Sequence, residues 1–104
     1  MVKKNVLELI KKFRMALEEQ HVHIQKIILY GSWASGHANE DSDIDLVVIS
    51  DSFNKKDYWE RIDLLSQAIY KVFAPIEAVA LTQAEWDNKS SSVCEYAKNG
   101  ETVF

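Results

Sequence analysis

The sequence is short of most features that mark a specialised class. It holds one cysteine, one proline and three glycines in 104 residues. A lone Cys94 can close no internal disulfide and supplies no cysteine cluster for zinc, so it reads as a small buried thiol with no role in chemistry. With so little proline and glycine, no biased tract and no internal repeat, neither a linker nor a solenoid is expected. The longest apolar runs are four or five residues, against the roughly 20 that a membrane-spanning helix needs. Lys, Glu and Arg are mixed through the first 20 residues without a leader pattern. A soluble, cytoplasmic chain that does not enter a membrane is the expectation. Positive charge is also scarce: 12 Lys and Arg stand against 16 Asp and Glu, for a net charge of −4. No dense basic stripe could neutralise the phosphates of a polynucleotide, which argues against a long nucleic acid as partner. A single nucleotide held through metal ions stays open, because the metal then supplies the positive charge.

What is present suits one globular domain over residues 1–104, with 47% hydrophobic and 27% charged residues. Val6, Ile10, Phe13 and Leu17 recur at helical spacing and predict an amphipathic helix over 4–20. "QKIILY" (25–30), "IDLVVIS" (44–50) and "PIEAVAL" (75–81) read as buried strands. Asn54, with Asp57 three residues on, is expected to cap a helix carrying Trp59, Ile62, Leu65, Ile69 and Val72/Phe73 on one side and ending before Pro75. T-x-x-E at Thr82–Glu85 predicts a capping box, Ser92 and Glu95 predict a second, and Asn99-Gly100 a helix stop. "ETVF" is left as an edge strand or a docked tail. Strands alternating with helices give an α/β class, with a small mixed sheet of three or four strands flanked by helices.

Chemistry is expected between residues 29 and 50, "LYGSWASGHANEDSDIDLVVIS". Gly31-Ser32 ends a strand where a short helical turn begins, exposing backbone N–H groups and a hydroxyl suited to phosphate. Asp43 and Asp45 stand two apart at the mouth of a strand, on one face and about 6.6–7 Å apart at Cα. Ile44, Leu46 and Val48 then point the other way, into the helices. Glu77 is the only charge in "APIEAVAL". If its strand lies beside that of Asp43 and Asp45, three carboxylates converge, and their repulsion implies a hard divalent cation, Mg²⁺ or Mn²⁺.

The pattern G-S-x10-D-x-D resembles the DNA polymerase β-type nucleotidyltransferase superfamily. It is especially similar to the minimal nucleotidyltransferases, short proteins often encoded beside a HEPN-domain partner as its antitoxin. The resemblance implies a nucleotidyltransferase fold in which Gly31 and Ser32 hold the triphosphate of ATP, Asp43 and Asp45 bind two metal ions, and Glu77 binds the second metal and helps deprotonate the attacking hydroxyl. It further implies transfer of AMP to a tyrosine of a HEPN-type toxin. Two positions depart from the family pattern. Ser35 stands where many minimal members have Arg, and Glu77 stands where Asp is common.

A length of 104 residues suggests that the acceptor comes from a partner or from an oligomer of this chain. The competing reading is a non-catalytic module that masks a partner by contact, with a vestigial nucleotide and metal site and with aromatics such as Tyr30, Trp33, Tyr58, Trp59, Trp86 and Phe104 on its surface. A metal site on His21, His23 and His37 is disfavoured, since nothing nearby completes a tetrahedral set.

Overall fold

The fold is built around one strand pair. In the computed structural model, which describes residues 3–104, β2 (Ile44–Ile49) lies parallel to β3 (Ile76–Leu81) and antiparallel to β1 (Lys26–Tyr30). A short β4 (Glu101–Thr102) joins the far side of β1, giving the order β3-β2-β1-β4. The "ETVF" tail is thus an edge strand. Its backbone continues the pairing, with Val103 N–H donating to Ile27 and Ile27 N–H donating to Phe104.

Each strand side alternates, and the two faces are packed differently. Ile27, Leu29, Ile44, Leu46, Val48, Ile76 and Ala80 face α1 (Lys4–Glu18) and α3 (Tyr58–Val72) and form the larger core with Val6, Ile10, Phe13, Leu17, Leu65 and Ala68. Phe13 and Leu17 are completely buried, in keeping with the helical spacing read from the sequence. Ile28, Val47, Ile49 and Leu81 face the other way, against Val93, Cys94 and Ala97 of α5 (Val93–Ala97). Cys94 is a buried free thiol within this cluster. The second face is therefore covered only toward one end. At the other end, its residues are Tyr30, Asp45 and Glu77.

Local signals hold in most places and shift in four. The N-cap of α3 is Asp57, whose side chain accepts from the Glu60 N–H in a full capping box. Asn54 instead closes the short 3-10 turn Asp51–Phe53. Thr82 and Glu85 make the expected box at α4 (Gln83–Asp87), whereas Ser92 is an N-cap without a side-chain bond. Trp59 and Phe73 do not join the buried side of α3: they are 73% and 89% exposed. Trp59 lies six residues before Leu65, about 120° round the helix from it, and Phe73 is already past the helix, in a left-handed conformation at φ 56°. Gly100 does stop the last helix, but not by a left-handed turn, since only Gly31 and Gly36 among the glycines have positive φ. A Cβ at Gly100 would lie 2.6 Å from the Leu29 carbonyl oxygen, so it is glycine that lets this turn press onto β1.

No helix among the described residues is long and apolar enough to cross a membrane.

Arg61 ties the covered end together. Its Nη1 donates to Glu85 at 2.7 Å and to the Ala80 carbonyl at 3.2 Å, Nη2 to the Phe53 carbonyl at 2.8 Å, and Nε to the Lys56 carbonyl at 3.1 Å. Burial tends to raise the Glu85 pKa, but the bonds from Arg61 and Thr82 outweigh it and hold the carboxyl below its ordinary value. Replacing Arg61 by Met leaves three carbonyls and a carboxylate without this donor. A loss of about 2–3 kcal/mol in urea unfolding is expected at neutral pH.

Candidate functional site

Parallel pairing in register sets Asp45 directly beside Glu77, and antiparallel pairing sets Asp45 opposite Tyr30. Asp43 precedes Asp45 by two residues and shares its face. The three acidic residues singled out in the sequence therefore meet on the open end of the second face, with Tyr30 alongside. Ile44 and Leu46 are buried in the opposite core, so the acidic face is fixed by the apolar residues that alternate with the aspartates.

The mutual strain of these groups is electrostatic. Glu77 is raised above the ordinary carboxyl range first by the charge of Asp43, then by that of Asp45, with little help from burial. When protonated it can donate to either neighbour. Asp45 is raised too, chiefly by burial and also by Asp43, while a bond from Glu77 works against the rise. Burial, followed by the charges of Asp45 and Glu77, raises the Tyr30 phenol above its ordinary value, which keeps it protonated. None of the described ion pairs engages this trio. The clustered carboxylates thus fit a cation. Among the described residues no group of three His, Cys, Asp or Glu is arranged to hold a metal ion by itself. A Mg²⁺ site does not require that arrangement, because the ion keeps waters and takes phosphate oxygens alongside one or two carboxylates.

Gly31 and Ser32 stand next to the trio. Gly31 has φ 73° and ψ −151° and caps the short helix α2 (Ser32–Ser35). Its oxygen accepts from the N–H groups of Ala34 and Ser35 at 3.2 and 3.0 Å. Glycine is needed here for a reason beyond its dihedrals: a Cβ at position 31 would lie 2.3 Å from the Asp45 Oδ2. The space kept clear is taken by the carboxylate itself. Ser35, at the position where the family often has Arg, donates to the Ser32 carbonyl at 3.3 Å and pairs with His37 Nδ1 at 3.0 Å.

Two aromatic residues belong to this site that the sequence left among general surface candidates. Trp33 Nε1 donates to the Ser42 carbonyl at 3.0 Å, which anchors α2 to the residue just before Asp43. Tyr30 borders Asp45. Its parity with Ile28 places it on the acidic face, but only the strand register reveals which side chain it meets.

The sequence pattern of the nucleotidyltransferase domain matches residues 10–98, from within α1 to just beyond α5. The chain belongs to the nucleotidyltransferase domain family. It is 35% identical over 81 residues, 77% of each chain, to the Methanocaldococcus jannaschii protein named "Putative protein adenylyltransferase MJ0604". The crystal structure of a nucleotidyltransferase, described as putative, from Sulfolobus solfataricus is similar with a TM-score of 0.71 at 19% identity, covering 92% of this chain and 77% of that one. A chain of the tri-AMPylated Shewanella oneidensis HEPN toxin in complex with MNT antitoxin is similar with a TM-score of 0.50 at 18% identity, covering 88% and 71%. At these identities the two solved structures bear on the fold, a four-stranded mixed sheet flanked by helices.

Two outcomes follow for this nucleotidyltransferase domain. Gly31→Ala would force a non-glycine residue to positive φ and push the Asp45 carboxylate aside. A stability loss of about 1–3 kcal/mol by thermal or urea unfolding is expected, with transfer activity about 100-fold lower. The second concerns pH. Glu77 holds its proton to higher pH folded than unfolded, so its contribution to stability is fully present below the ordinary value of 4.5 and is lost as pH rises through the raised folded value. Glu77→Gln removes that loss. In metal-free buffer the variant should melt above wild type at pH 7, and the gap should close toward acid pH in a calorimetric series.

Proposed function

We propose that this chain is a metal-dependent protein adenylyltransferase that moves AMP from ATP to a tyrosine hydroxyl of a HEPN-type toxin, and so acts as its antitoxin. The observation that carries the reading is the register of β2 and β3, which brings Asp45 and Glu77 side by side with Asp43 on the same face. The Methanocaldococcus relative, named for protein adenylylation, and the Shewanella complex, named for an AMPylated HEPN toxin bound to an MNT antitoxin, support the choice of group and acceptor.

Each residue has a role in this reading. Gly31 and Ser32 hold the triphosphate, Ser32 through its hydroxyl and the turn through its N–H groups. Asp43 and Asp45 hold Mg²⁺ or Mn²⁺, and Glu77 completes the site for a second ion. When bound, such ions neutralise the triphosphate and lower the pKa of the attacking hydroxyl. Glu77, beside Asp45 in the strand register, accepts the proton the tyrosine releases. The phenolic oxygen forms its bond to the α-phosphorus in line with the bond that breaks, and pyrophosphate leaves. Tyr30 stays protonated at the edge of the site and does not compete as a base.

A contact-only antitoxin is the second reading, favoured by the exposed Tyr58 and Trp59, whose rings meet edge to face at 5.0 Å. Incubation of the chain with labelled ATP, Mg²⁺ and a HEPN partner separates the two. Label should appear on a partner tyrosine, fall at least 100-fold with Asp43→Asn or Asp45→Asn, and vanish with EDTA. Unlabelled partner that is still inhibited by both variants would establish masking instead.

A further inference from the structure

Beside the acidic trio lies a cleft of about 300 Å³ between the start of α2 and the end of α5. Tyr30, Gly31 and Ser35 form one wall, and Tyr96 and Asn99 the other. Among the described residues no charged side chain lines it, in contrast to the site next door. Gly31 belongs to both, so the cleft begins where the phosphate turn ends.

The far wall is rigidly placed. Val93, Cys94 and Ala97 bury one side of α5 against the sheet, which leaves Tyr96 on the flank with 76% of its surface exposed. Gly100 N–H donates to the Ala97 carbonyl at 2.9 Å, and the Gly100 backbone is packed onto Leu29 so tightly that a Cβ would not fit. Asn99 is held between these two anchors. An unpartnered aromatic ring and a neutral amide, fixed on one side of a small uncharged cleft, are the chemistry of nucleobase recognition: the ring stacks on a base face and the amide meets a donor–acceptor edge. A phosphate chain would find no cation in this cleft, while an uncharged nucleoside needs none.

We propose that this cleft takes the nucleoside of the donor nucleotide, with the base stacked on Tyr96 and the Asn99 amide selecting adenine by pairing with its amino donor and adjacent ring acceptor. The proposal rests on the reading of Gly31 and Ser32 as the triphosphate end. It makes α5 and the turn that follows it, which the G-S-x10-D-x-D motif does not include, the region that sets nucleotide choice. Guanine offers two acceptors along the corresponding edge, so the amide can satisfy it only in part.

Calorimetric titration of the full chain with Mg·ATP, Mg·GTP and Mg·tripolyphosphate tests this, using wild type, Tyr96→Ala, Tyr96→Trp and Asn99→Ala. Both positions are exposed, and circular dichroism checks that each variant is folded. Wild type should prefer ATP to GTP. Tyr96→Ala should weaken ATP about tenfold or more while leaving tripolyphosphate unchanged, Tyr96→Trp should restore ATP, and Asn99→Ala should narrow the ATP preference. ATP affinity unchanged in Tyr96→Ala, with tripolyphosphate still bound, overturns the cleft alone. Wild type that binds neither ATP nor tripolyphosphate overturns the phosphate turn, and the cleft with it.

Discussion

Everything at the open end of the sheet depends on like charges being held together by apolar neighbours. Asp45 and Glu77 are adjacent because β2 and β3 run parallel in register, and that register is set by Ile44, Leu46, Val48, Ile76 and Ala80 packing into the opposite core. A one-residue slip would turn those side chains to the wrong face. The core therefore fixes the carboxylates in mutual repulsion, which is the condition under which a divalent cation gains most by binding. Gly31 completes the constraint by giving the Asp45 carboxylate the space that any other residue's Cβ would fill.

The same sheet face does two jobs at its two ends. Toward the C-terminal ends of β2 and β3, Val47, Ile49 and Leu81 are sealed under α5, and Arg61 binds α3, β3 and α4 to one another. Toward the beginning of those strands the face is left open, and polar residues replace apolar ones. The larger core behind the acidic residues, with Ile44, Leu46 and Ile76, supports that end of the sheet from the opposite face.

Much of this could be read from the residues. The strands, the three acids, the opposing apolar parity of Ile44 and Leu46, and the capping box at Thr82 are local patterns, and local patterns survive in the fold. The misreadings share a different cause. Asn54 and Asp57 both suit an N-cap, and only the path of the preceding 3-10 turn chooses Asp57. Trp59 and Phe73 are apolar near the ends of a periodic stretch, where the helix phase is least constrained. Gly100 stops its helix as expected, yet for a reason no local rule contains, because the Leu29 carbonyl that demands it is distant in sequence. Tyr30 and Trp33 gain their places from strand register and from a bond across a loop, neither of which periodicity encodes.

The two departures from the family pattern take on physical meaning in this setting. β3 is an edge strand, so the side chain at position 77 must reach inward across the pleat to meet both aspartates. The Glu77 pKa responds to Asp43 more strongly than to Asp45, although Asp45 is its register partner. Its carboxyl senses both aspartates, and glutamate is one methylene longer than aspartate. At position 35, the loss of an arginine removes a cation from the turn, but the serine keeps the turn closed through Ser32 and carries His37 on its hydroxyl. With no cation at position 35, the turn itself presents only neutral donors, and the charge beside it is that of the three acids.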